Sequence, residues 1–105
     1  MLRDDEIEAI VRRIADRIQP ERIVVFGSYA KGRASPRSDL DLLVVKDTHL
    51  PPSRRADDLL PLVAGRTIRV DIHVVTPEEV AEIGSDAQSF IGSALRTGRE
   101  VYSRS

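Results

Sequence analysis

Cysteine is absent from the chain. That excludes disulfides, thiolate metal sites and a cysteine nucleophile. Tryptophan is absent too, and the aromatic residues are only Phe26, Tyr29, Phe90 and Tyr102. A stacking platform for single-stranded nucleic acid normally draws on more rings than this. The formal net charge is only -1, which gives no general attraction to nucleic acid or to an anionic membrane. Direct nucleic-acid binding is therefore not expected. No apolar run approaches the length needed to cross a bilayer, and the opening MLRDDEIEAI is too charged for a signal or transit peptide. The expectation is a cytoplasmic protein with no membrane attachment.

What remains describes a small globular unit. At 105 residues, with 41% hydrophobic and 31% charged side chains, the chain suits one compact domain over 1–105. It shows no internal repeat, low-complexity tract or interdomain linker. Of the 16 basic residues 14 are arginine, so local contacts to phosphate or carboxylate stay available despite the neutral balance.

Hydrophobic spacing supplies the elements. Ile7, Ile10, Val11, Ile14 and Ile18 recur at helical intervals, predicting a helix over 5–18 that Asp4 or Asp5 caps and Pro20 ends. Residues 23–26 read as a buried strand, 28–33 as one or two helical turns, and 39–46 as a second strand. A helix over 53–64 is expected, kinked or divided by Pro61 and closed by Gly65. TIRVDIHVV at 67–75 alternates as a third strand. Thr76-Pro77-Glu78-Glu79 is a capping box with proline at the first helical position, and its helix runs to about Ile83. A further helix over roughly 87–97 and a short strand over 100–103 complete the chain. Such alternation predicts an α/β (α+β) fold, a small mixed β-sheet with helices packed against it.

Two aspartates, Asp39 and Asp41, open the apolar run Leu40, Leu42, Leu43, Val44, Val45. Residues two apart in a strand share a face, so these carboxylates point the same way. Asp71 shares a face with His73 in the third strand. If the strands are neighbours, three carboxylates converge, and like charges so placed need a cation among them. Hard oxygen ligands on strands suit Mg²⁺, and a site of this kind that holds two ions drives in-line displacement at phosphorus. A bare Asp-x-Asp is more often a solvated pair at a strand mouth, and His73 reads as a packing residue. The preceding Phe26-Gly27-Ser28 shifts that balance. Gly27 permits a tight turn and close approach of a substrate. Ser28 offers a hydroxyl, and the amides after it open a helix that favours anions, although Ser28 also reads as a simple cap.

Gly27-Ser28, ten residues, then Asp39-x-Asp41 resembles the signature of the DNA polymerase β-type nucleotidyltransferase superfamily. GSYAKGRASPRSDLDLLVV is similar to its minimal nucleotidyltransferase domains, and VDIHVV and FIGSALRTGREVYS extend the likeness over nearly the whole chain. The resemblance implies a nucleotidyltransferase fold. It implies that Asp39 and Asp41 hold two Mg²⁺ ions and that Asp71 serves the nucleophile-side ion. Gly27 and Ser28 would position the triphosphate of ATP, with Lys31 and Arg37 within reach of phosphate. It further implies a HEPN-domain ribonuclease toxin as partner. The domain would act as an antitoxin by AMPylation, transferring AMP to a tyrosine hydroxyl of that toxin. Non-catalytic occlusion of the partner is the alternative. A third reading, nucleotidylation of a small molecule such as an aminoglycoside, has no drug-recognition element in the sequence. So small a chain has no evident acceptor pocket, so another polypeptide or a second copy is expected to supply one.

Overall fold

The computed structural model describes residues 1–66 and 68–104. Four strands form one sheet in the order β3-β2-β1-β4: β1 is Arg22–Phe26, β2 Leu40–Val45, β3 Val70–Val75 and β4 Arg99–Ser103. β1 runs antiparallel to both β2 and β4, whereas β2 and β3 are parallel. The sheet is mixed, as the order of elements predicts.

Helices cover both faces. α1 (Asp4–Ile18) lays Ile7, Ile10, Val11 and Ile14 on one face, against Ile23, Val25, Leu40, Leu42 and Val44. α3 (Pro77–Ile83) and α4 (Phe90–Thr97) serve the other. There Ile91 and Ala94 pack on Val24, Leu43 and Val45, with Val80 and Leu95 at the margin. Alternation along β2 thus sends Leu40, Leu42 and Val44 to one core and Leu43 and Val45 to the other. No helix among the described residues is long and apolar enough to cross a membrane.

Several boundaries differ from the sequence expectation. α1 begins at Asp4, so Asp4 and Asp5 lie in its first turn, and Glu6 accepts the Arg3 N–H at 2.9 Å. At the other end Gln19 takes a left-handed conformation before Pro20. The expected helix over 53–64 reduces to a 3-10 turn at Pro52–Arg54 and a short α2, Leu60–Val63. Pro61 neither kinks nor divides a helix; it lies in the first turn of α2, where its missing N–H costs no bond. The expected third strand starts later, at Val70, and Thr67 lies outside the described residues. β2 begins at Leu40, leaving Asp39 just before it. The turn after β1 is a single 3-10 turn, Gly27–Tyr29. The capping box at Thr76 is formed, its hydroxyl accepting the Glu79 N–H at 3.1 Å.

Candidate active site

The strand register decides which carboxylates meet. Asp41 on β2 is the direct partner of Asp71 on β3, and both side chains leave the same face of the sheet. Asp39 lies two residues ahead of Asp41 at the entrance to β2 and is exposed. The Asp41 carboxyl group is held above its ordinary value of 3.8. Burial is the main cause, followed by the negative charge of Asp71 and, more weakly, that of Asp39; His73 and Arg69 oppose the shift. Asp41 thus feels the negative charge of both other aspartates.

On the opposite side Asp41 faces β1, with Phe26 as its register partner. The chain then turns at Gly27, whose φ of +74° is one that side-chain-bearing residues rarely adopt. A Cβ added there would stand 2.6 Å from Asp41 Oδ2. The Gly27 backbone thus closes on the carboxylate, and only glycine leaves room for it. Gly27 and Ser28 form the first residues of the 3-10 turn, whose carbonyls accept the amides of Ala30 at 3.1 Å and Arg33 at 2.9 Å. The N-cap position belongs to Phe26, and no side chain caps the turn. Ser28 is not the cap that the simpler reading supposed.

Two residues that the sequence reading passed over shape the site. Tyr29 packs into the α1-side core and accepts the Leu2 N–H on its hydroxyl at 2.9 Å, anchoring the turn that carries Gly27 and Ser28. Arg69 places Nε 2.7 Å from Asp71 Oδ1. The two-residue spacing of Arg69 and Asp71 along an extended segment was the available signal. Lys31 and Arg37 are exposed in the loop between the turn and β2; neither is paired with the carboxylates.

Acidic oxygens on adjacent strands, one of them kept reluctant to ionise first by burial and then by its neighbours, are of the type that a hard divalent cation takes as ligands. Among the described residues no three acidic or histidine side chains already form a metal-holding group. The Arg69 guanidinium brings positive charge to Asp71 from within the chain.

Comparison with known proteins gives the family and the fold. The chain matches the nucleotidyltransferase domain family over residues 6–98. It is 33% identical over 90 residues to the bifunctional uridylyltransferase/uridylyl-removing enzyme of Methylococcus capsulatus, covering 84% of this chain but 10% of that protein. It thus spans about one tenth of the length of this relative. Among solved structures, a Sulfolobus solfataricus protein assigned as a nucleotidyltransferase superposes with a TM-score of 0.66 at 21% identity, over 93% of this chain and 78% of that one. A toxin–antitoxin structure with AMP-PNP gives 0.56 at 19% identity, over 92% and 73% of the two chains. A mutant of the toxin–antitoxin pair MntA-HpeT gives 0.52 at 18%, over 98% and 75%. These structural likenesses establish the nucleotidyltransferase fold.

Proposed function

The chain belongs to the nucleotidyltransferase domain family, and from that premise we propose that it transfers AMP from ATP to a hydroxyl group of a partner protein. The observation that carries the proposal is the Asp41–Asp71 register pair closed on one side by the Gly27 backbone. Asp39 and Asp41 would hold two Mg²⁺ ions, with Asp71 on the nucleophile side. Bound there, the ions would neutralise the phosphate oxygens and lower the barrier to in-line displacement.

The chain's own residues do the rest. Gly27 and Ser28 receive the triphosphate, Gly27 by close backbone approach and Ser28 by a hydroxyl not spent on capping. Asp71, once released by Arg69, orients the acceptor hydroxyl and takes its proton. The acceptor oxygen then bonds to the α-phosphorus, the bond from that phosphorus to the bridging oxygen breaks, and pyrophosphate leaves.

The partner of this reading is a toxin, of the HEPN ribonuclease type, with tyrosine as the accepting residue. Support comes from the two toxin–antitoxin structures that share the fold, one of them with AMP-PNP. AMP on a side chain beside a nuclease site adds bulk and negative charge, which oppose an RNA phosphate. Incubation with labelled ATP, Mg²⁺ and the protein encoded by the adjacent gene should label that protein. Labelling that persists with Asp39→Ala/Asp41→Ala would refute the assignment of these residues.

A second reading is occlusion of the partner without chemistry, favoured by the Arg69–Asp71 ion pair that already engages one carboxylate. It predicts that the same double variant still protects cells from the toxin. A folded, partner-binding variant that fails to protect would exclude it.

A further inference from the structure

The carboxylates and the Gly27–Ser28 turn account for phosphate and metal, but not for the base of a nucleotide. On the same sheet face three rings meet beside the carboxylates. Phe26 is the register partner of Asp41, His73 follows Asp71 by two residues, and Phe90 opens α4. Ring centroids are 5.4 Å apart for Phe26 and Phe90, which meet edge to face at 82°. They are 5.0 Å apart for His73 and Phe90 and 5.8 Å for Phe26 and His73. Such spacings mark rings that brace one another.

A cluster serving only the core would be covered. Phe90 is instead 51% exposed, as is Ile83 at 42%, and both line a groove of about 380 Å³ with His73, Arg55 and Glu79. That volume lies within the usual range for small-molecule sites. The groove runs along the outer edge of β3 and also touches Ile72. Arg69 and Val75 direct their carbonyls to the β2 side, accepting from Leu40 and Lys46. By alternation, the peptide groups of Ile72 and Val74 therefore face outward. Arg55 occupies the Val74 carbonyl at 3.3 Å, which leaves the Ile72 N–H and C=O as a donor–acceptor pair on the groove side.

We propose that Phe90, braced by Phe26 and His73, is the stacking platform for the base of the nucleoside triphosphate, with the Ile72 peptide group facing the base's hydrogen-bonding edge. The inference rests on the nucleotidyltransferase reading above. A half-exposed ring beside groups that handle phosphate selects a planar partner, and base–aromatic stacking accepts any nucleobase.

The test measures calorimetric binding of a non-hydrolysable ATP analogue and of inorganic tripolyphosphate, each with Mg²⁺, to wild type, Phe90→Ala and Phe90→Tyr. Phe90→Ala should weaken the analogue about five- to a hundred-fold and leave tripolyphosphate within about two-fold. Phe90→Tyr, which keeps a ring, should bind both as wild type does. Equal weakening of both ligands by Phe90→Ala would mean that Phe90 supports the fold only, and would overturn the platform. So would unchanged analogue binding by Phe90→Ala. Failure of wild type to bind either ligand would instead remove the nucleotidyltransferase reading itself.

Discussion

Asp41 bears the electrostatic tension of the site. Its carboxyl group is raised above 3.8 by burial first and by Asp71 and Asp39 after it. A carboxyl raised in the folded state holds its proton more tightly than in the unfolded chain. Stability therefore falls as pH climbs from that ordinary value through the raised one, and the deficit persists at higher pH. In metal-free buffer at pH 7, Asp41→Asn should melt above wild type, and the two melting curves should converge in acid below the ordinary carboxylate range. A variant less stable than wild type at neutral pH would contradict this. Gly27→Ala acts on the same carboxylate from the other side. Its positive φ alone costs about 1–2 kcal/mol, read by urea denaturation, and its Cβ pushes on Asp41 Oδ2. Misplacing that oxygen should reduce AMP transfer by about a hundred-fold. Arg69 competes with any cation for Asp71, but its side chain is 76% exposed and the pair is largely screened. Arg69→Ala should lower the Mg²⁺ concentration for half-maximal transfer by up to about five-fold, as a metal titration of the rate would reveal.

At the scale of elements, the segment between β2 and β3 is held by side chains more than by regular structure. Arg55 is the tie: it reaches Glu79 Oε1 at 2.7 Å, the Leu50 carbonyl at 2.9 Å and the Val74 carbonyl at 3.3 Å. Glu79 also accepts the Thr76 N–H at 2.8 Å, completing the N-terminal cap of α3. Arg55→Ala should cost about 1–3 kcal/mol and Thr76→Ala about 1 kcal/mol. Because both act on Glu79, the double variant should depart from additivity by at least about 0.5 kcal/mol in urea unfolding. This scale also shows where sequence reading works. β1, β2 and α1 follow from hydrophobic spacing and the α3 start from its Thr76 capping box, because these signals are local, whereas Asp4 and Asp5 lie in the first turn of α1 rather than capping it. The expected helix over 53–64 did not follow, since Pro61 sits in the first turn of a short helix and the residues before that helix make 3-10 and irregular turns. Period-two alternation put Asp41 and Asp71 on a face each, but whether β3 lies beside β2 depends on a long parallel crossover. The Phe26–His73–Phe90 cluster was illegible for the same reason: its members come from three elements, and each alone reads as a packing residue.

For the whole molecule, the sheet presents its acidic oxygens at one mouth, with the turn after β1 on one side and an aromatic groove on the other. Binding of a ligand to the folded state alone raises apparent stability by mass action. Mg²⁺ with nucleotide should therefore raise the melting temperature of wild type while leaving Asp41→Asn unmoved. In the proposed site, carboxylates from neighbouring strands would share divalent ions beside a triphosphate. Manganese binding followed by electron paramagnetic resonance, with a non-hydrolysable ATP analogue present, tests this sharing most directly. Wild type should immobilise the ion, and Asp41→Asn and Asp71→Asn, both folded, should leave it free. Equal ion binding by wild type and both variants would contradict it.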